Sequence, residues 1–138
     1  MAFVAALLML AAVQSAPAPP LQPAEPPAAP QTPGITRTDL QQHDLSIAGW
    51  ATIQTRVDFA PGAIAPRHVH SGDEIVYVLK GKLEYRVDGL PRATLGAGDV
   101  LFIPKGKPHS AENVGLESAS ELATYVVEKD KPLAVRVP

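Results

Sequence analysis

The chain has 138 residues, enough for one domain and little more, and a formal charge of −2. That balance offers no basic footprint for nucleic acid or for an anionic membrane surface. There is no cysteine, which excludes disulfides, thiolate metal sites and cysteine nucleophiles; any metal must be held by His, Asp, Glu or backbone oxygen.

Ala2 to Val13 is an unbroken apolar run of 12 residues. It is short for a bilayer span and suits the core of a secretory signal, with small residues at Ser15 and Ala16 and cleavage expected after Ser15. No Lys or Arg precedes the run, so only the α-amino group supplies positive charge there. Between Pro17 and Pro33 lie eight of the chain's 15 prolines. Proline lacks a donor and restricts its predecessor, so this stretch reads as an extended tether outside any sheet or helix. The expected organisation is a signal peptide over residues 1–15, a disordered Pro/Ala-rich linker over 16–34 and one domain over 35–138. Such a product is periplasmic or otherwise secreted, with no membrane span left after cleavage.

From Ile35 the pattern changes to short runs rich in Val, Ile, Tyr and Leu, broken by Gly, Pro and Asp. Ala51 to Phe59 alternates, with Ile53, Thr55, Val57 and Phe59 on one face. Glu74 to Leu79 is apolar after its first residue and reads as a strand buried on both sides. Leu83 to Val87 alternates again and ends at Asp88-Gly89, a hairpin signal. Val100 to Ile103 and Leu122 to Val127 complete the set. No stretch keeps a helical period, so the class is all-β, a sandwich or barrel.

The chemistry concentrates in two segments. Gly62 to Gly81 carries His68 and His70 two residues apart, on one face of an extended strand, and a short turn then returns Glu74. Gly98 to Asn113 carries a strand that stops at Pro104, turns at Gly106 and presents His109. Written out, these are G-x5-H-x-H-x3-E-x6-G and G-x5-P-x-G-x2-H-x3-N, with 16 residues between them. The pair resembles the two signature motifs of the cupin family at all ten defining positions, over a chain segment from about Ile35 to the end. The resemblance implies a jelly-roll β-barrel enclosing one divalent transition-metal ion (Fe, Mn, Ni, Cu or Zn) on His68, His70, Glu74 and His109. It also implies a homodimer joined through the sheets. The motif glycines and Pro104 are expected to serve turns, Asn113 to bond backbone, Asp73 to be a solvated loop acid, and Arg67 and His43 to face water.

Alternation places Val76 and Val78 on Glu74's face and makes Phe59, Tyr85 and Phe102 candidates for the wall of a largely apolar pocket. Arg56, Lys82, Arg86 and Lys105 alternate with the apolar face, so no basic side chain is expected inside. A small aromatic or enol-type ligand that chelates through oxygen fits such a cavity better than a highly charged one. The expected function is a metal-dependent dioxygenase or related enzyme, with Glu74 as ligand or base. The alternative is a non-catalytic module of the cell envelope that holds a metal or small ligand.

Overall fold

The computed structural model describes residues 32–138; the expected signal peptide, and the linker up to residue 31, lie outside the described residues. Ten strands follow: β1 (Ile35–Asp44), β2 (Trp50–Phe59), β3 (Ile64–His70), β4 (Gly72–Lys80), β5 (Lys82–Val87), β6 (Ala93–Gly96), β7 (Val100–Ile103), β8 (His109–Asn113), β9 (Ala119–Glu128) and β10 (Ala134–Arg136). They form two five-stranded sheets, in the orders β1-β2-β9-β4-β7 and β10-β3-β8-β5-β6, and every pairing is antiparallel. Among the described residues there is no helix. This is the jelly-roll arrangement, with the core between the facing sheets around Phe59, Val76, Val78, Leu83, Ile103 and Tyr125. Three strands, β1, β6 and β10, had no clear alternation to reveal them; β1 is polar along nearly its whole length and largely exposed.

Burial along β4 corrects one expectation. Glu74, Val76 and Val78 are buried, whereas Ile75, Tyr77 and Leu79 are exposed, so the apolar run covers one buried face and one open face. The turn after β5 is centred on Asp88-Gly89, with Leu90 N–H donating to the Val87 carbonyl, but the next strand resumes only at Ala93.

Two devices fix opposite ends of the strands that carry the histidines. Asn113 donates to the carbonyls of Phe59, Ala60 and Glu117 and accepts from Gly115 N–H, locking the end of β8 to the turn after β2. Asp73 is not simply solvated: its carboxylate accepts Lys105 N–H at 2.9 Å, and Gly106 N–H donates to the His70 carbonyl at 3.1 Å. The β3–β4 turn and the loop before His109 are thereby tied together.

Candidate metal centre

His68 and His70 come from β3, and His109 sits opposite His68 on β8. Regular alternation cannot place both Ala65 and His68 inward, since they are three residues apart, yet both are buried. A β-bulge between Ala65 and His68 resolves this by adding one residue to β3 against β8. It spans Pro66, whose missing N–H costs the ladder nothing there. The chain then crosses to the other sheet at Ser71, so Glu74 approaches from the opposing layer.

The four donor atoms all lie within 4.8 Å of one another. Nε2 of His68 is 3.1 Å from Nε2 of His70, and Oε2 of Glu74 is 3.2 Å from His70 Nε2 and 3.1 Å from His109 Nε2. Each imidazole is oriented by a backbone carbonyl: Nδ1 of His68 donates to Pro66 at 2.7 Å, that of His70 to Leu133 at 2.6 Å and that of His109 to Lys107 at 2.9 Å. A carbonyl only accepts, so each Nδ1 carries a proton and all three Nε2 atoms point at the centre. Burial, and then the neighbouring His109, lower the pKa of His68 to about 4, so it is neutral at pH 7. Burial alone would raise Glu74, but His109 and His70 beside it hold its carboxyl well below the usual carboxylate range. Glu74 Oε2 and His109 Nε2 are buried without a hydrogen-bond partner. Three imidazole nitrogens and one carboxylate oxygen suit a divalent transition ion, so the cluster is able to bind one.

The cavity beside these donors measures about 10 Å³ and is lined by Arg37, Ala65, Tyr85, Ala111, Glu121 and Tyr125 together with His68, Glu74 and His109. Of the five expected wall residues only Tyr85 lines it. Phe59, Val76 and Val78 are packed into the core. Phe102 is 54% exposed on the outer face, because Ile103, opposite Glu74, takes the inward position on β7. The expectation of a largely apolar pocket without a basic side chain is therefore corrected by Arg37, Glu121 and Tyr125. Glu121 shares the buried phase of β9 with Ala119, Ala123 and Tyr125, and an acid in that phase was the available signal. Arg37, on an almost wholly polar strand, gave none. Tyr85 Oη donates to Glu121 across the two sheets, and burial, then the charge of Glu74, raise Glu121 to about 8. Burial likewise raises both tyrosines. Arg67 pairs with Asp88 at the surface and His43 is exposed. A wider hollow of about 710 Å³ beside Pro33 and Ala60 is open to solvent, and its charged side chains, Arg56 and Asp58, pair with each other.

The family model for the cupin domain matches residues 55–125. An oxalate oxidase of Triticum aestivum, GF-3.8, is 35% identical over 109 residues, 69% of this chain and 48% of its own length. Germin-like protein subfamily 2 member 2 of Arabidopsis thaliana is 37% identical over 75 residues, 51% of this chain and 34% of its own. The chain thus spans about half or less of these relatives. Among solved structures, an oxalate oxidase in complex with the substrate analogue glycolate superposes with a TM-score of 0.62 at 30% identity, covering 80% of this chain and 58% of that one.

Proposed function

The chain belongs to the cupin family, and from that premise we propose that it is an exported metalloenzyme of the oxidoreductase type acting on a small organic acid. His68, His70, Glu74 and His109 hold one divalent transition-metal ion, which supplies a Lewis acid with open positions for oxygen ligands. Glu74 is the catalytic residue of this reading, since it is the one anionic donor in the set. The observation that carries the proposal is the inward lock of the three imidazoles by backbone carbonyls around that carboxylate.

The substrate class follows from the cavity. A space of about 10 Å³ admits about one water beside the donors, so only a small coordinating group such as a carboxylate reaches them. Its polar lining fits an acid better than the enol-type ligand expected from alternation. The oxalate oxidase relatives, one of them holding glycolate, favour the same class. Export rests on the apolar run over 2–13 and the proline tether, which makes residues 1–15 a signal peptide, 16–34 a linker and 35–138 the cupin domain, in the periplasm or outside the cell. Among the described residues no helix is long and apolar enough to cross a membrane. A homodimer belongs to the same reading.

The test is metal content by mass spectrometry for the wild type and His70→Ala, followed by oxygen uptake with oxalate and glycolate. Near-stoichiometric metal in the wild type, lost in the variant, with oxygen uptake on one of the acids, is the expected result. Absence of metal from both proteins removes the metalloenzyme reading. Tight binding of an acid without turnover replaces it by the binding module.

A further inference from the structure

The metal cluster leaves the charged half of its cavity without a role. Arg37 lies in one cross-strand row with Val57, Glu121 and Val78, which the ladders β1–β2, β2–β9 and β9–β4 pair in turn. Val57, Glu121 and Val78 are buried, so this row belongs to the inner face of the sheet. β1 is the sheet's edge, and Arg37 is exposed there, yet it lines the same space as His68, Glu74 and His109. Its guanidinium therefore stands where the cavity meets solvent.

Four of the six arginines, Arg56, Arg67, Arg86 and Arg92, pair with carboxylates. Arg37 enters no ion pair within direct contact among the described residues, although its positive charge acts on the buried Glu121 and Tyr125 beside it. The acid in its own row, Glu121, instead accepts the hydroxyl of Tyr85 from the facing sheet. A guanidinium is a rigid fork of donors that matches a carboxylate through two parallel bonds, and near a low-dielectric cavity such a bond is stronger than in water. An arginine that lines a metal-sized cavity with no carboxylate in direct ion-pair contact is equipped for one that arrives with a ligand.

We propose that Arg37 is the specificity residue of this pocket, taking the second carboxylate of a small dicarboxylic acid whose first carboxylate is held at the metal position. The inference rests on the metal-centre reading above. A purely structural Arg37, serving only the buried Glu121 and Tyr125 beside it, would affect folding and metal retention and would treat all ligands alike.

The experiment titrates the whole, metal-loaded chain with acetate, malonate and succinate by calorimetry, with metal content and thermal midpoint measured on every sample. Arg37→Gln is expected to weaken malonate and succinate by about ten- to a hundredfold, the worth of a charge-assisted hydrogen bond, and to leave acetate within about a factor of two. Arg37→Lys is expected to recover part of the loss, since it keeps the charge without the fork. Equal losses for acetate and the dicarboxylates, or no loss at all, overturn the proposal. Full metal with no carboxylate binding in the wild type overturns it and the acid substrate class together while leaving the metal site standing. A wild type without metal removes the site on which it depends. Because Arg37 is on an exposed edge strand, an unchanged thermal midpoint is expected in both variants.

Discussion

Glu121 is a carboxylic acid buried on the inner face of β9, and its environment gives the metal-free protein a defined pH response. Burial, then Glu74, raise its pKa from 4.5 to about 8. Between those values the unfolded chain has released this proton while the folded chain keeps it, so stability falls as pH rises through that window. His68 works in the opposite sense: between about 4 and 6.5 the unfolded imidazole binds a proton that the buried one does not, and stability rises with pH. The two oppose each other up to pH 6.5, and above it Glu121 acts without that opposition. The chelated protein is therefore expected to lose on the order of 2 kcal/mol between pH 6.5 and 8.5, read from urea midpoints at the two values. Glu121→Gln should abolish the slope, and a divalent ion should reduce it by offsetting the charge of Glu74. A slope that persists unchanged in Glu121→Gln would mean that another group carries the titration.

β3 and β4 together position three of the four donors, and the point where one becomes the other has no spare volume. A Cβ on Gly72 would lie 1.9 Å from the Val126 carbonyl oxygen and 2.6 Å from the Val127 Cα, both backbone atoms of β9. Gly72→Ala must displace β4 from β9 and carry Glu74 with it. A loss on the order of 3 kcal/mol is expected, with weaker metal binding, measured by thermal melting and metal titration. Gly81 is similarly confined: its φ is 77°, and a Cβ there would lie 2.7 Å from the Ala119 Cα. The contrast between these strands explains what the sequence disclosed. The donors of β3, β4 and β8 stood at fixed spacings beside turn residues, so His68, His70, Glu74 and His109 were legible together. The bulge that turns His68 inward was not, because a one-residue change of ladder register depends on the partner strand. Phe102 was misplaced for a related reason: four apolar residues in a row on β7 have no alternation from which to choose a face. Arg37 was missed because its inward phase is set by pairing with Val57, across a loop and on a strand with little apolar content.

At the scale of the whole molecule, the outer face of β4 and β7 is the surface that a homodimer would use. Ile75 faces Phe102 and Tyr77 faces Val100 across the ladder, and these four together with Leu79 are between 43 and 66% exposed. Their neighbours on β9, Leu122 and Thr124, are uncharged, so no ionic group interrupts the patch. Five half-exposed apolar side chains offer on the order of 450 Å², about half of what a standard interface takes from each partner. β7 is also a free sheet edge only four residues long, and pairing with its copy across a two-fold axis would cover its unpaired N–H and C=O groups. Both contributions point to a second copy of the chain as the cover, with the two cavities facing away from the contact because Glu74, Val76 and Val78 occupy the opposite face of β4. Sedimentation of the wild type is expected to give a dimer, and Tyr77→Glu with Phe102→Glu a monomer. Metal content should be unchanged in that monomer, since both side chains project from the outer face of the sheet, away from Glu74. A monomeric wild type would remove the dimer, and loss of metal in the double variant would mean that the two faces of β4 are coupled.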